Sequence, residues 1–276
     1  MDKNINGRLI ANSIKETLKQ KLESIPKRLK LVVISVGSNE ASKIYIDMKK
    51  KLCEEIGIDF ENDHYELAEE NELIENINIL NSDDSVTAIL VQLPLPEYLN
   101  SKHIIDAIDY KKDVDGLSDN NFIKIINKED GIIPCTAYGI IKMLEYSNVD
   151  IAGKDICVVG RSRLVGLPTS LLLLNKGATV TMCHSNTANL KKETKEADII
   201  ISATGHKHLI TKDMIKDDAI IIDVGIIRED RLYGDVDYDD VYDKVSLITP
   251  VPGGVGPMTV IMLINNIIKC YEIQNK

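Results

Sequence analysis

The chain has 276 residues, a net charge of −10, 44% hydrophobic residues and 28% charged residues. A chain of this length can bury a large core as one or two domains, and its composition excludes the fibrous and disordered classes. The acidic balance argues against binding to nucleic acid or to an anionic membrane, because both partners require a basic surface.

Strand-like and helix-like patterns alternate along the first half. Residues 30–36 predict a buried strand, 40–56 a helix, 69–80 a second helix and 86–93 another strand. Short, nearly continuous apolar runs rich in β-branched residues are typical of strands buried on both faces of a parallel sheet.

The second half repeats this alternation, and a final helix is predicted from about residue 257. Its four strand-like runs lie at 154–160, 178–185, 197–205 and 218–225. We therefore predict two α/β domains with mainly parallel sheets, joined near 124–139.

A glycine turn follows the first of these runs and predicts a dinucleotide site. Gly160 closes the strand and Gly166 opens the next helix, so the turn would aim backbone N–H groups at a pyrophosphate. Ser162 replaces the usual middle glycine, so the motif alone is weak and a plain βαβ crossover stays open.

The end of the next strand indicates which nicotinamide cofactor is used. An NAD site normally places an acidic residue there, but this chain has His184 and Ser185. Arg161 and Arg163 lie in the glycine turn. Cations without a repelling carboxylate suit a 2′-phosphate, which favours NADP over NAD; the alternative is that both arginines belong to a solvated loop.

Three consecutive lysines lie on the helix predicted over 40–56. At about 100° per residue, Lys49 and Lys51 flank the apolar side of that helix, whereas Lys50 points away. Of the two, only Lys49 shares its side with a tyrosine, Tyr45. We expect this side to border a core-facing apolar stripe formed by Ile44, Met48, Leu52 and Ile56. Lys49 is therefore the best candidate for a substrate-directed amine, although a buried stem with a solvated ammonium is the alternative.

Three further stretches carry polar or glycine-rich patterns near strand ends. Gln92 ends a buried strand, where parallel sheets build their sites. Asp115 belongs to an acidic turn at 111–117, and 248–259 contains three prolines and three glycines. Glycines let the backbone approach a ligand closely, and prolines hold that backbone rigid.

Together these stretches resemble the bifunctional methylenetetrahydrofolate dehydrogenase/methenyltetrahydrofolate cyclohydrolase family over almost the whole chain. The motifs that carry the resemblance are VGSNEASKIYIDMKKKLCEEIG, VQLPLP, KDVDGL, GRSRLVGLP, CHSNT and TPVPGGVGPMT. One departure is Ala137, which stands where the family commonly has proline in P-C-T-P-x-G; we expect a more relaxed hinge between the domains.

The resemblance implies two reactions on one folate. NADP oxidises 5,10-methylenetetrahydrofolate by hydride transfer, and water then hydrolyses the methenyl cation to 10-formyltetrahydrofolate. It also implies a homodimer that acts in one-carbon metabolism, and no metal is required. The five scattered cysteines indicate a reducing cytosol, and we expect neither a nucleic-acid nor a membrane partner. Weaker alternatives are an enzyme with one of the two activities and a nucleotide sensor without turnover.

The resemblance also implies residue roles. Lys49, Tyr45, Gln92 and Asp115 would be catalytic, with Gln92 hydrogen-bonded to Lys49 and Asp115 holding the pterin. The folate pocket would add Val91, Leu93, Pro252, Gly253 and Gly254. The cofactor site would comprise Gly160, Arg161, Ser162, Arg163, Val165, His184, Ser185, Ala203, Thr204, Gly205, Gly225 and Ile226.

The predicted domains are a folate-binding catalytic domain at 1–121 plus 254–276 and a Rossmann-like NADP domain at 122–253. We expect the active-site cleft between them. Hydrolysis needs a proton acceptor, and Lys49 can serve when burial and a cationic substrate favour its neutral amine. A neutral Gln92 orients that amine without favouring its charged form as a carboxylate would.

Overall fold

The structure, a computed structural model, describes residues 2–276 except for the side chain of Ala41. Contacts divide the chain into two compact units. Unit 1 comprises Met1–Ile14 and Cys135–Met262, and unit 2 comprises Lys15–Pro134 and Leu263–Lys276. These bounds describe compactness; the division into folate and cofactor domains at 121/122 and 253/254 stays a prediction.

Unit 2 is built around a three-stranded parallel sheet. Its elements in chain order, beginning with a helix that straddles the unit boundary, are α1 (Gly7–Glu23), β1 (Lys30–Val36), α2 (Glu40–Ile56), β2 (Asp59–Tyr65), α3 (Glu70–Ser82), β3 (Ala88–Val91), α4 (Ser101–Asp106) and α5 (Asp119–Asn127). The strand order is β2-β1-β3.

The central strand β1 and the edge strand β2 differ sharply in sequence. Leu31, Val32, Val33 and Ile34 of β1 are fully buried, because β1 pairs with a neighbour on each side. Strand β2 reads DFENDHY and is mostly exposed. An edge strand can keep polar side chains on its solvent face, so its apolar pattern is too weak to predict it.

Helix α2 follows β1 and begins and ends with clear capping signals. The Asn39 side chain accepts a hydrogen bond from the Ser42 N–H, and Gly57 ends the helix in the left-handed conformation. These signals explain why the bounds predicted from sequence, 40–56, agree with the structure.

The buried face of α2 differs from the predicted stripe. Ile46, Cys53 and Ile56 are buried, whereas Ile44 and Met48 are 41% and 45% exposed. The prediction of a core stripe through Ile44 and Met48 is therefore wrong. Apolar residues occur at most angles around α2, so its periodicity could not decide which face meets the sheet.

Unit 1 contains a five-stranded parallel sheet with the order β10-β7-β6-β4-β5. Its elements are α6 (Cys135–Tyr146), β4 (Asp155–Val159), α7 (Gly166–Asn175), β5 (Thr179–Cys183), α8 (Leu190–Glu196), β6 (Ile199–Ser202), a 3₁₀ turn (Lys212–Met214), β7 (Ile220–Asp223), β8 (Ile227–Arg228), β9 (Leu232–Tyr233), α9 (Tyr238–Val241), β10 (Leu247–Ile248) and α10 (Val255–Gln274). This doubly wound sheet confirms the Rossmann-like prediction.

Strand β5 corrects one expectation about burial. We expected it to be buried on both faces, but its residues are largely exposed and only Cys183 is fully buried. The strand lies at the sheet edge and pairs with β4 alone among the described strands. β-branched residues favour a strand in either position, so composition did not reveal the edge.

Helix α10 begins at Val255, two residues before the predicted start. Its second half packs within unit 2, where the Asn266 side chain donates hydrogen bonds to the carbonyls of Val114 and Ile133 at 2.9 and 2.8 Å. The described helices include none with the length and apolar character that crossing a membrane requires.

Candidate active site

The carboxyl edge of the unit 2 sheet collects the predicted catalytic side chains. Gln92 directly follows β3 and is 7% exposed. Asp113 forms an isolated parallel bridge with Ile89, so the chain beside β3 reaches Asp115 at the same edge. Parallel sheets bind ligands at this edge.

Lys49 lies on the inward face of α2, whereas the sequence predicted that it would lie at the border of that face. Its position continues the spacing of the buried Ile46, Cys53 and Ile56. The Lys49 ammonium donates a hydrogen bond to Gln92 Oε1 at 2.9 Å. The structure thus contains the Lys49–Gln92 contact expected from the resemblance.

A second hydrogen bond fixes the orientation of the Gln92 amide. Gln92 Nε2 donates to the Leu93 carbonyl at 2.7 Å, which leaves the amide oxygen facing Lys49. The orientation follows from donor and acceptor chemistry, because an ammonium cannot accept a hydrogen bond from the amide nitrogen. Gln92 therefore presents a neutral acceptor to the amine.

Tyr45 precedes Lys49 by one turn of α2 and is 40% exposed. A half-exposed ring beside an inward lysine offers a flat apolar surface to a planar ligand, with a hydroxyl at its end.

Asp113 organises the turn that carries Asp115. The Asp113 carboxylate accepts hydrogen bonds from the N–H groups of Gly116 and Ser118 and from the Asn121 side chain, at 2.9 to 3.0 Å. Burial raises the pKa of Asp113, and these donors offset part of that increase. Asp113 was not predicted as a site residue; its signal was the same DVDG motif that pointed to Asp115.

The proline- and glycine-rich segment lies in unit 1. The Val251–Pro252 peptide bond is cis and Gly253 has φ 109°, which favours glycine. Sequence reasoning missed Gly7 at the start of α1: a Cβ there would lie 1.9 Å from the Gly254 carbonyl oxygen. Gly7 therefore lets α1 begin directly against this loop.

The predicted folate residues are divided between the units. Pro252, Gly253 and Gly254 belong to unit 1; Tyr45, Lys49, Val91, Gln92, Leu93 and Asp115 belong to unit 2. The Leu93–Pro94 peptide bond that follows Gln92 is cis.

The glycine turn of unit 1 lies where the sheet reverses its strand order. β4 pairs with β5 on one side and with β6 on the other, and doubly wound sheets bind ligands at this point. Gly160 has φ 119°, and a Cβ there would lie 2.4 Å from the Ala203 carbonyl oxygen. A Cβ on Gly166 would lie 2.0 Å from the Gly160 carbonyl oxygen. Both glycines are thus required by close backbone approach.

The side chains around this turn suit an anionic nucleotide. Arg161 and Ser162 are exposed, and Ser162 Oγ accepts a hydrogen bond from the Val165 N–H at 3.2 Å. His184 Nδ1 accepts one from the Asn186 N–H at 3.1 Å. No carboxylate follows β5, since Cys183 is succeeded by His184 and Ser185. The tight turn and the exposed cation therefore fit a phosphorylated dinucleotide.

Two buried carboxylates that sequence reasoning missed hold the neighbouring loops. Asp235 accepts hydrogen bonds from Ser202 Oγ and from the N–H groups of Thr204 and His206, at 2.7 to 2.9 Å. Asp223 accepts a hydrogen bond from the N–H of Gly225 at 3.0 Å. Thus the predicted cofactor residues at 203–205 and 225–226 lie in loops that these carboxylates fix.

Burial raises the pKa of Asp223 to about 7, although backbone N–H donors oppose this shift. Among the described residues, no three or more His, Cys, Asp and Glu side chains are arranged to hold a metal ion.

Comparison with known families matches both halves of the chain. Residues 5–115 match the catalytic domain of tetrahydrofolate dehydrogenase/cyclohydrolase, and residues 134–275 match its NAD(P)-binding domain. Fold and site define an α/β oxidoreductase class with a Rossmann-like nucleotide domain.

Individual relatives belong to the same family as the two matching domains. The bifunctional protein FolD of Agathobacter rectalis is 49% identical, covering 97% of this chain and 98% of the relative. The structure of bifunctional FolD from Campylobacter jejuni is 44% identical with a TM-score of 0.95, covering 98% of both chains.

A third relative, Trypanosoma brucei FolD, was solved with NADP cofactor and an inhibitor; it is 32% identical with a TM-score of 0.93, covering 99% of this chain and 98% of that one. The chain belongs to the tetrahydrofolate dehydrogenase/cyclohydrolase family, which confirms the family and the enzyme class predicted from sequence.

Proposed function

We propose that Lys49 and Gln92 carry the hydrolytic step of a bifunctional enzyme that first oxidises 5,10-methylenetetrahydrofolate with NADP and then hydrolyses the methenyl product. The observation that carries this proposal is the Lys49–Gln92 hydrogen bond at the carboxyl edge of the unit 2 sheet. A nucleotide sensor has no use for such an amine, and the relatives named as bifunctional favour both activities.

In the hydrolysis, water forms a C–O bond with the methenyl carbon and passes one proton to the neutral Lys49 amine. The carbon–N5 bond then breaks, the second proton of the water ends on N5, and a formyl group remains on N10. The transfer needs a proton acceptor within reach of the attacking water, and an amine can fill that role. Lys49 is thus the general base.

Gln92 serves as a positioning residue for that base. Its amide oxygen holds the amine while its nitrogen is anchored on the Leu93 carbonyl. A carboxylate at this place would stabilise the ammonium and weaken the base, whereas the neutral amide orients the amine without that penalty. Tyr45 would pack against the folate and Asp115 would accept hydrogen bonds from the pterin.

In the oxidation, the chain binds and orients two ligands. NADP, when bound, supplies the hydride acceptor. The turn at Gly160 would hold its pyrophosphate, and Ala203, Thr204, Gly205, Gly225 and Ile226 would line the remaining path. Correct orientation of the reactants provides most of the rate increase in such a step.

NADP rather than NAD is favoured by the charges around the turn. Arg161 is exposed, and His184 and Ser185 stand where an NAD site has an acidic residue. The Trypanosoma brucei relative, which was solved with NADP, supports the same choice. We further propose that the protein is a cytoplasmic homodimer. The mass of the purified protein in solution tests the dimer directly.

The test compares Lys49→Ala with wild type in two assays: NADPH formation from methylenetetrahydrofolate, and consumption of methenyltetrahydrofolate. General-base removal should lower hydrolysis by about 10³-fold. The matched control is Lys50→Ala, because Lys50 lies on the same helix with its side chain 55% exposed. Near-normal hydrolysis by Lys49→Ala would refute the role of Lys49.

A further inference from the structure

A polar cavity of about 430 Å³ lies in unit 2 on the side of α2 that faces β2. Its lining residues come from the ends of β1 and β2, the first turns of α2, and Gln92. Lys49 and Tyr45 do not line it. The cavity therefore adjoins the proposed hydrolytic pair through Gln92 alone among the four predicted catalytic residues.

The lining changes from exposed to buried along the cavity. Its mouth is formed by exposed residues of α2 and of the edge strand β2 and the segment after it, which are Lys43, Asp47, Asn62, His64 and Glu66. Its floor consists of Ser35, Val36, Ile46 and Gln92, which are between 4% and 8% exposed. The cavity thus leads from solvent to the amide that holds Lys49.

Two serines contribute to the lining of the cavity. Ser35 Oγ lies 3.1 Å from both Asn62 Oδ1 and His64 Nδ1. Ser42 also lines the cavity, although its Oγ is shielded from solvent and has no hydrogen-bond partner among the described residues.

The lining argues for water over other ligands. Two carboxylates, Asp47 and Glu66, line the cavity with one cation, Lys43, so an anionic ligand would meet net repulsion. Val36 and Ile46 are too few to attract an apolar ligand. One water molecule needs only about 10–15 Å³ of free space in such a cavity, so this one holds several waters.

We propose that this cavity is the route by which water reaches Gln92 and Lys49 for the hydrolysis. The inference rests on the proposed function, because it names the source of the water that attacks the methenyl carbon. Oxidation of the methylene carbon consumes no water, so blocking the route should separate the two activities of the enzyme.

The experiment narrows the cavity with Ser42→Val, because Ser42 lines it, and measures both activities on the full chain. Ser42→Ala removes the hydroxyl without adding volume, and Ser101→Val makes the same substitution in the first turn of α4, away from the cavity. We expect Ser42→Val to lower kcat for hydrolysis about 10-fold, with dehydrogenase kcat within about two-fold and both controls near wild type. Methenyltetrahydrofolate should then accumulate during the coupled reaction.

A second variant covers a failure of Ser42→Val to fold. Asn62→Trp obstructs the exposed mouth, where an added ring has little effect on the core. Asn62→Trp should also lower the rate of hydrolysis and leave the dehydrogenase rate unchanged. If circular dichroism shows that Ser42→Val is unfolded, the rates of Asn62→Trp test the water route in its place. Equal loss of both activities, or unchanged hydrolysis in the folded variant, overturns the water route. A wild-type protein without hydrolysis would instead overturn the proposed function.

Discussion

The two units build their proposed ligand-binding edges from different chemical groups. At the carboxyl edge of the unit 2 sheet the important groups are side chains: an amine, an amide and a carboxylate on Lys49, Gln92 and Asp115. At the corresponding edge of unit 1 the backbone dominates, because the turn at Gly160 and Gly166 leaves no space for a Cβ. Proton transfer needs a titratable side chain, whereas a pyrophosphate is bound well by N–H groups.

Both edges share one structural device, a buried carboxylate that holds a turn. Asp113 fixes the turn of Asp115 in unit 2 through two N–H groups and an amide. Asp223 and Asp235 fix the loops after β6 and β7 in unit 1. A carboxylate can accept several N–H bonds at once, so it replaces the hydrogen bonds that an irregular turn cannot make with itself.

The strongest test of this contrast is Gly160→Ala. A Cβ there would meet the Ala203 carbonyl at 2.4 Å in addition to the unfavourable φ of 119°. We expect NADP affinity to fall at least about 100-fold. The atoms that a Cβ would meet belong to the backbone of Ala203, so the turn itself must move to relieve the clash. Titration of the nucleotide measures this affinity.

Gly153→Ala is the control for backbone strain alone, since Gly153 has φ 73° with no atom within 4 Å of the added Cβ. It should cost about 1 kcal/mol of stability and leave affinity unchanged. If the two variants bind NADP equally, close approach at Gly160 is not what shapes the turn.

The packing face of α2 gives the next largest effect. Ile46→Ala should lower the free energy of unfolding by about 2–4 kcal/mol, because Ile46 is 8% exposed and packs inward. Ile44→Ala, on the same helix but 41% exposed, should change it by less than about 0.5 kcal/mol. Urea denaturation compares the pair; the reverse order would restore the stripe predicted from sequence and remove Lys49 from the inward face.

Asp223 should make stability depend on pH. Its folded pKa of about 7 is above the ordinary value of 3.8, so the folded protein binds more protons than the unfolded chain between these values. The stabilising contribution is complete below pH 3.8 and is lost as the pH rises through 7. We expect a loss of about 2.5 kcal/mol between pH 5 and 8.

The measurement is the difference in unfolding free energy between wild type and Asp223→Asn across that range. Taking the difference removes the pH dependence contributed by titratable groups that both proteins share. Asn cannot titrate, so its curve should be flatter at the upper end. Parallel curves would mean that Asp223 remains ionised throughout, stabilised by its three backbone donors.

The smallest effect concerns the choice of cofactor. Arg161→Ala should lower kcat/KM for NADP about 10-fold and leave kcat/KM for NAD nearly unchanged, because one charge-assisted contact with the 2′-phosphate is lost. Arg231→Ala removes an exposed arginine elsewhere in unit 1 and is the matched control. Equal losses with both cofactors would assign Arg161 to the pyrophosphate instead.

Sequence by itself determined the alternation of strands and helices and the bounds of α2, since caps and β-branched runs act through local chemistry. It also determined the family, because motifs such as TPVPGGVGPMT occur in order along the chain. Gly160 and Gly166 could be selected before the structure, since tight turns restrict residue type.

Tertiary structure alone decided which face of α2 is buried, that β2 and β5 are edge strands, and that Asp113, Asp223 and Asp235 hold the turns near the sites. It also decided that Gly7 lies against Gly254, far away in sequence. These features depend on which segments become neighbours, and that is set by packing across the whole chain rather than by the local pattern of residues.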